Sequence, residues 1–476
     1  MSEFAPSRSR PTRWQRTCRA LFLRALDGLE GGRIVLRDGD GDHALGRGPE
    51  IGIEIHDGSF YPAALIEQSS GVGRAYMEGW WSCPDPVGMI RVFARNESTI
   101  RRWTAPTLGL LAPWHRFLLW RRRNTEAQAR RNIAAHYDLG NEFFASFLDP
   151  TMTYSCAVFE HPGDDLETAQ INKLDRICRK LDLGPQDHVV EIGTGWGGFA
   201  LHAAGRYGCR VTTTTLSAEQ PALARGRIRD AGLDDRVTVL EEDYRNIAGR
   251  FDKLVSIEMI EAVGVRYFPA YFRACSDLLK PEGAMLLQAI VVDDRHYDHD
   301  AKHEDFIKKW IFPGGVLPSV GEIARRVSDD TDLQVAHLED LTRHYAETLH
   351  RWHLNLRGAW NRLKTSGRDE RFLRAWEFYF HYCRGGFLER RVGVVQSLMV
   401  KPRCRHLTLL QPAAAPLETG AVLLEGYFTR ARARAMATTS AFRVSPADSA
   451  TVVAEYAANC DAGTWTSEER MELELS

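Results

Sequence analysis

Short β-branched and aliphatic runs alternate with helix-length amphipathic segments between residues 125 and 410 of the 476-residue chain. The runs are HVVEI, CRVTTTTL, VTVLEED, FDKLVSI and AMLLQAIVV. Strands that are separated by helices favour parallel pairing, because the chain must cross back over the sheet before it adds the next strand. The pattern therefore predicts an α/β domain over residues 125–410, with a mostly parallel sheet and helices on both faces.

The rest of the chain divides into four further sections. Residues 1–27 form a basic arm, and residues 28–98 contain apolar runs separated by two Asp-Gly turn signals, which predicts a small α/β domain. Residues 99–124 are a connector rich in arginine and tryptophan. Residues 411–476 are rich in Ala, Thr and Arg and end in an acidic tip, and we expect a disordered tail there.

The composition is that of an ordinary globular protein, with 44% hydrophobic residues, 26% charged residues and a formal net charge of −2. A near-neutral balance argues against a nucleic-acid partner. The nine cysteines include no C-x-x-C pair, so we expect neither a disulfide framework nor a metal site. The basic N-terminal stretch is interrupted by Arg19 and Arg24 and no apolar run is long enough to span a membrane, which predicts a cytoplasmic protein.

The segment HVVEIGTGWGGFALHAA, residues 188–204, is typical of a strand that turns through glycines into a helix. Gly193, Gly195 and Gly198 also spell the dinucleotide fingerprint, but the next strand ends in threonines rather than in the acid that binds a ribose. The loop, the long helix before it and the acid that ends VTVLEED resemble the class I S-adenosylmethionine-dependent methyltransferase fold. A ligand-free turn and a dinucleotide site are the alternatives.

Five segments around this loop resemble the cyclopropane-fatty-acyl-phospholipid synthase family, which includes the mycolic acid cyclopropane synthases. They are AAHYDLGNEFFASFLDPTMTYSCAVFE (134–160), TLSAEQ (215–220), SIEMIEAVGVRYFPAYF (256–272), HYAETLHRW (344–352) and YFHYCRGGFLERRVGVVQSLMVKP (379–402). The likeness runs from about residue 30 to residue 402. It implies a Rossmann-like, mostly parallel seven-stranded sheet with helices on both faces, preceded by a small N-terminal α/β domain, and it makes residues 125–410 the catalytic domain.

The resemblance also implies the site residues. For S-adenosylmethionine they are Tyr154, Ser155, Glu191, Gly193, Gly195, Thr215, Gln220, Asp243 and Tyr244. For the reaction centre, where the family holds a bicarbonate ion as base, they are Cys156, Glu261, Gln288, Ile290 and Tyr345. The chain departs from the family at Ala262 and at Gln288, where many members have histidine. Glutamine still donates a hydrogen bond to an anion, but it carries no charge.

The implied reaction needs an apolar groove, aromatic faces for a carbocation and one held base, but no nucleophilic side chain. Phenylalanines and a tyrosine at helical spacing are candidates for those faces, although aromatic residues at such spacing belong to the core more often than not. They are Phe143, Phe144, Phe147, Phe268, Tyr271, Phe272 and Phe306. Glu261 ends an apolar stretch where an idle carboxylate is costly, so we expect it to serve the reaction, with Glu258 ranked second.

The predicted function is transfer of a one-carbon unit to the cis double bond of an unsaturated phospholipid acyl chain, which forms a cyclopropane. A methyl- or methylene-branched product without ring closure is the nearer alternative, and an inactive lipid- or S-adenosylmethionine-binding protein is the remoter one. The arginines and tryptophans of residues 101–124 suit an anionic bilayer or a docking segment between domains. We expect peripheral contact with the inner membrane face, and the resemblance leaves room for a homodimer.

Overall fold

The computed structural model describes residues 11–100, 139–217 and 220–405. The expected tail at 411–476 lies outside the described residues, as do all but the first two residues of the expected connector and the first ten of the basic arm. The predictions for those parts remain predictions.

The N-terminal domain is a four-stranded sheet covered by helices. Its elements are α1 (Arg13–Leu26), β1 (Gly32–Asp38), β2 (Gly41–Arg47), β3 (Glu50–Ile55), α2 (Phe60–Met77), β4 (Trp81–Ser82) and α3 (Pro86–Arg95), with strand order β2-β1-β3-β4. Helix α1 comes from the expected arm, yet its Phe22 packs edge-on against Phe60 and Tyr61. Residues 13–26 are therefore part of this domain's core, because the amphipathic helix buries its apolar face there.

The second domain is built on a seven-stranded sheet of order β10-β11-β9-β8-β5-β6-β7. The strands β5 to β9 pair in parallel, whereas β11 pairs antiparallel with both β9 and β10. The strands are β5 (His188–Ile192), β6 (Arg210–Thr214), β7 (Val237–Leu240), β8 (Phe251–Ile257), β9 (Leu279–Val292), β10 (Gln334–Asp340) and β11 (Val392–Val400). The predicted fold class and all five strands predicted from the apolar runs are confirmed.

Helices flank this sheet. They are α4 (Asn141–Ala145), α5 (Leu166–Lys180), α6 (Gly198–His202), α7 (Gln220–Asp230), α8 (Phe268–Asp277), α9 (Asp294–Asp300), α10 (Val320–Asp330), α11 (Thr342–Thr365) and α12 (Glu370–Leu388). Two buried clusters fill the space between helices and sheet, one on β5, β8 and β9 with α8 and one on β5, β6 and α5. None of the helices within the described ranges combines the length and apolarity that a membrane crossing requires.

Helix α12 joins the two domains. Phe378 packs against Trp81 and Tyr76 of the N-terminal domain, and the Tyr76 hydroxyl donates to the Glu377 carboxylate at 2.7 Å. A Cβ added at Gly385 would lie 2.6 Å from Ile90, so the absence of a side chain lets α3 approach α12 closely. The N-terminal domain is thus packed onto a helix of the large domain.

Candidate active site

A cavity opens at the carboxyl ends of β5, β6 and β8, the edge at which parallel α/β sheets bind ligands. All nine residues that the sequence predicts for S-adenosylmethionine line this one cavity. They are Tyr154, Ser155, Glu191, Gly193, Gly195, Thr215, Gln220, Asp243 and Tyr244. The fold brings them together from four loops because each loop follows a strand or precedes a helix at the same sheet edge.

The glycine loop after β5 forms the floor of the cavity. Gly193, Gly195 and Gly197 have φ values of 102°, 53° and 83°, the left-handed region that favours glycine. The amides of Gly193 and Thr194 both donate to the Thr214 carbonyl, at 3.1 and 3.0 Å, which holds the loop against β6. Nothing lies within 4 Å of a Cβ placed on Gly195, so the backbone there faces open space that a ligand can enter.

Glu191 is a buried carboxyl group that the charge of a cationic ligand would ionise. Its side chain is buried, lines the cavity, and its Oε2 atom has no hydrogen-bond partner in the structure. Burial raises the pKa of Glu191 to about 8. S-adenosylmethionine carries an ammonium and a sulfonium, so an orphaned carboxylate beside a glycine cradle fits this cofactor.

Lys173 of α5 is a buried cavity residue that the sequence reasoning missed. Its Nζ donates to Ser155 Oγ at 2.9 Å, and burial lowers its pKa to about 8. The available signal was its position, because Lys173 lies four residues from both Ala169 and Ile177 on the buried face of α5.

The side of the cavity that follows β6 and β7 is also preorganised. Thr215 Oγ1 donates to Gln220 Oε1 at 3.0 Å and accepts from the Ser217 amide at 3.1 Å. The Asp243 carboxylate is held by the guanidinium of Arg245 at 2.7 Å. These contacts keep the polar side chains in place before any ligand binds.

Four of the five predicted reaction-centre residues contribute hydrogen-bond donors, and three of these meet at Glu258. The Cys156 amide and Gln288 Nε2 each donate to Glu258 Oε1 at 2.8 Å. The Tyr345 hydroxyl donates to Glu258 Oε2 at 2.7 Å. Glu258 lines the cavity and has φ 49°, an unusual backbone conformation for a residue with a side chain.

Glu261, the carboxylate that the sequence reasoning ranked first, is placed differently. Its Oε1 accepts from the Ile290 amide at 2.6 Å, and its Oε2 has no partner in the structure. Burial and the charge of Glu258 raise the pKa of Glu261 to about 8. Of these two carboxylates, Glu258 lines the cavity and Glu261 is not among its lining residues. Which of the two serves the reaction stays a prediction.

The predicted bicarbonate ion does not fit these contacts. Each donor that the resemblance reserves for the ion already binds a carboxylate of the chain, three of them Glu258 and the fourth Glu261. An additional anion would lack those donors and would face two carboxylates. We therefore assign no step to the ion.

A row of buried side chains crosses the sheet behind Glu258. Gln288 of β9 accepts through Oε1 from Gln396 Nε2 of β11 at 2.9 Å, and Gln396 Oε1 accepts from Lys180 Nζ at 2.7 Å. Lys180 also binds Glu339 of β10. Because an ammonium only donates, it orients both amides, so that the Gln288 NH₂ points at Glu258.

Aromatic side chains form the wall beside Glu258. The Tyr154 ring lies 5.1 Å from Trp352 and its hydroxyl donates to the Tyr379 hydroxyl at 3.2 Å, while Tyr345 stacks on Phe387 at 4.6 Å. Of the predicted aromatic candidates, Phe143, Phe144, Phe147 and Phe306 belong to the same buried cluster as Trp352. Phe268, Tyr271 and Phe272 pack instead in the separate core between β8, β9 and α8.

Comparison with known proteins gives one consistent result. The family model described as mycolic acid cyclopropane synthetase matches residues 124–397. A tuberculostearic acid methyltransferase of Mycobacterium tuberculosis is 38% identical over 342 residues, which cover 70% of this chain and 78% of the relative. The cyclopropane-fatty-acyl-phospholipid synthase of Escherichia coli K12 is 36% identical over 349 residues, which cover 72% and 86%.

A solved structure agrees with these relatives. A mycolic acid cyclopropane synthase complexed with SAH and CTAB superposes with a TM-score of 0.54 at 31% identity. The match covers 57% of this chain and 98% of that one. The aligned part of the chain therefore corresponds to nearly the whole length of that protein.

Proposed function

The chain belongs to the mycolic acid cyclopropane synthetase family and is an S-adenosylmethionine-dependent methyltransferase, and we propose that it adds one carbon to the cis double bond of a phospholipid acyl chain and closes a cyclopropane ring. One observation carries this proposal: the glycine cradle and a carboxylate with aromatic neighbours line the same cavity. A methyl donor and a base are the two groups that this reaction needs.

When bound, S-adenosylmethionine supplies a methyl group that is already electrophilic, so the protein needs no nucleophile. The Cys156 thiol agrees with this, because burial and the charge of Glu258 raise its pKa well above the ordinary range. The protein instead orients the acyl chain, excludes water and removes a proton after methyl addition. We assign stabilisation of the cation on the acyl chain to the ring of Tyr154, which lines the cavity.

A methyl- or methylene-branched product is the second candidate. It is favoured by the printed name of the tuberculostearic acid methyltransferase, whose identity to this chain is as high as that of the cyclopropane synthase. Both products start from the same carbocation, which forms on the acyl chain when the methyl group adds to the double bond. Proton loss from the new methyl carbon closes the ring when it happens at once, and it leaves a methylene branch when a hydride has first moved along the chain. A saturated methyl branch would in addition need a reductant that acts after this step.

The product of the purified enzyme decides between these candidates. We propose incubation with S-adenosylmethionine and a phospholipid with one cis double bond, followed by mass analysis and proton NMR of the fatty acids, with the saturated phospholipid as control. Upfield ring protons support a cyclopropane, and vinylidene protons identify the branching reaction. Binding of S-adenosylmethionine without any product from several unsaturated phospholipids would contradict both and leave the remoter alternative of a binding protein.

We also propose that residues 101–124 contact an anionic membrane surface, which supports access to phospholipid. The basis is sequence alone, because Arg121, Arg122 and Arg123 lie outside the described residues. Changing all three to Glu is expected to weaken binding to anionic vesicles, and salt is expected to weaken binding of the parent. Neutral vesicles are the control, and vesicle binding that is insensitive to both changes would return the segment to a docking role between domains.

A further inference from the structure

We propose that Glu258 is the proton acceptor of the reaction, a carboxylate of the chain that takes the place of the separate anion expected from the family resemblance. This inference rests on the proposed function, since it names the base of that reaction. It is carried by the hydrogen bonds around Glu258, by the fixed polarity of its neighbours and by its backbone conformation.

The first argument is the convergence of donors. The Cys156 amide, the Gln288 side chain and the Tyr345 hydroxyl come from three different elements, and all three lie 2.7–2.8 Å from the Glu258 oxygens. These are three of the positions that the resemblance assigns to the ion. A carboxylate and bicarbonate present the same planar pair of oxygens, so the same donors serve either of them.

The second argument is the polarity of the buried row. Lys180 orients Gln396, and Gln396 orients Gln288, so the Gln288 NH₂ needs an acceptor at the cavity wall. Glu258 meets that need best while it is ionised, because both of its oxygens then accept, Oε1 from Cys156 and Gln288 and Oε2 from Tyr345. The row therefore holds Glu258 in the form that can take up a proton.

The third argument separates Glu258 from Glu261. Two neighbouring half-buried carboxylates share their titration, and the member with more donors keeps the charge. Glu258 has three donors and the nearby charge of Lys173, whereas Glu261 has one backbone amide. Glu261 is therefore the neutral member, and burial raises the pKa of Glu258 above its usual range, which makes it a stronger base.

The fourth argument is backbone strain. A side chain at φ 49° costs about 1 kcal/mol relative to glycine, and such strain is concentrated at functional sites. Glu258 nevertheless occupies that conformation at the cavity wall. The carboxylate is thus retained at a position where glycine is the unstrained residue.

The proposed step is a single proton transfer. A C–H bond of the newly attached methyl carbon breaks, and its electron pair closes the third C–C bond of the ring. The proton forms an O–H bond with a Glu258 oxygen. The carbocation on the acyl chain and the carboxylate are both neutralised. The proton passes to water when the products leave, and Glu258 is restored.

The test is the variant Glu258→Gly, which removes the carboxylate and relieves the strained backbone. We expect native circular dichroism, unchanged S-adenosylmethionine affinity and a fall in turnover of about 10²–10⁴-fold. Added bicarbonate is expected to restore part of the loss, since the three donors are then free. The parent is expected to work equally well in carbonate-free buffer.

Two further variants sharpen this test. Glu258→Gln fills the space and still accepts from Cys156 and Gln288 through its amide oxygen, but it takes up no proton, so turnover is expected to fall without rescue by bicarbonate. Asp182→Gly makes the acid-to-glycine change at an exposed residue with φ 53°, away from the cavity, and is expected to leave turnover unchanged. Full turnover of Glu258→Gly without added anion, or loss of parent activity in carbonate-free buffer, would overturn the proposal.

A binding measurement separates this inference from the proposed function. Carbon-13 NMR of labelled bicarbonate is expected to detect binding to Glu258→Gly but not to the parent, whatever product the enzyme makes. Binding of bicarbonate to the parent at this site would overturn the inference even if a cyclopropane is formed. Absence of any one-carbon product would instead contradict the proposed function alone.

Discussion

The open space over Gly195 makes a direct test of the cofactor site. Gly195→Asp is expected to abolish S-adenosylmethionine binding, because the new carboxylate projects into the cavity. Its φ of 53° is a conformation that aspartate tolerates better than most residues, and no atom lies within 4 Å of the added Cβ, so the fold is expected to persist. The measurement is titration calorimetry together with circular dichroism.

Gly232→Asp is the matched control for this substitution. Gly232 has φ 66°, has nothing within 4 Å of an added Cβ and lies exposed in the turn between α7 and β7. It is expected to bind the cofactor like the parent. Equal affinity in the Gly195 variant would disprove the assignment of the loop.

Glu261 gives a prediction about stability and pH. Its pKa rises from about 4.3 in the unfolded chain to about 8, so the folded protein holds this proton more tightly. Stability from this group is full below about pH 4.3 and is lost as the pH rises to about 8. Glu261→Gln cannot ionise, so this variant does not lose that stability. The difference in free energy of unfolding between variant and parent is expected to change by up to about 1.4 kcal/mol per pH unit over that window, in favour of the variant.

Urea unfolding at pH 5, 6, 7 and 8 measures this gain. The exposed residue Glu282 supplies the control, since Glu282→Gln makes the same change at the surface and is expected to alter the free energy of unfolding by at most about 0.5 kcal/mol. A pH-independent difference for Glu261→Gln would mean that Glu261 is charged in the folded protein.

At the residue scale, sequence reasoning predicted residues that meet at one cavity, and their roles stay predictions. The nine residues predicted for the cofactor came from the family resemblance, and all nine line the cavity. Glu258 and Glu261 lie only three residues apart in an apolar stretch, and the amino-acid sequence does not show which of the two side chains lines the cavity. Glu258 has a left-handed φ, and no local residue pattern predicted this backbone conformation.

At the scale of elements, the row from Lys180 to Glu258 depends on strand order. Gln288 and Gln396 are paired across β9 and β11, and Glu339 is the next partner on β10. These strands are neighbours in the sheet but far apart in sequence, so the alternation of apolar runs predicts the strands without predicting the row. The closing strand was expected from the resemblance, whereas its buried glutamine was not.

The row yields a prediction about stability. Gln396→Met keeps the volume of the side chain. It removes the hydrogen-bond partner of Gln288 Oε1 and one of the acceptors of Lys180 Nζ inside the core. The free energy of unfolding is expected to fall by about 2–4 kcal/mol. Denaturant unfolding measures it.

The neighbouring residue Ser397 is the control for this change. Its hydroxyl is buried and has no hydrogen-bond partner in the structure, so Ser397→Ala is expected to cost less than about 1 kcal/mol. Equal losses in the two variants would show that general packing of β11, rather than the polar row, determines the effect.

At the scale of the whole molecule, Glu377 ties the two domains together. Burial alone would raise its pKa, but hydrogen bonds from His353 and Tyr76 and the charge of Arg357 outweigh burial and hold the pKa at about 2. Stability from this group is therefore full above about pH 4.3 and is lost as the pH falls towards 2. The Glu377→Gln variant is expected to be less stable than the parent at pH 7, by up to about 3 kcal/mol.

This difference is expected to shrink as the pH falls below about 4, which urea unfolding at pH 7, 5, 4 and 3 measures. Glu78 pairs with Arg371 across the same junction at a more exposed position. Glu78→Gln is therefore the control, with an expected change of at most about 1 kcal/mol. A loss for Glu377→Gln that is constant with pH would contradict the predicted titration.

The N-terminal domain boundary shows that the composition of a segment does not by itself predict which residues belong to a domain. Charge marked residues 1–27 as an arm, but the apolar face of α1 packs into the small domain. Composition averages over a segment, whereas packing depends on which positions of a helix are apolar. The long alternating pattern of the second domain was predicted well because several strands and helices repeat the same signal.

The backbone at Glu258 has an evolutionary consequence. The glutamate codons GAA and GAG differ from the glycine codons GGA and GGG by one base, and glycine enters φ 49° without strain. If Glu258 is the proton acceptor as proposed, a single point mutation to glycine replaces a base of the protein by a bicarbonate ion bound from solution. No rearrangement of the main chain is required, so lineages can cross this step in either direction.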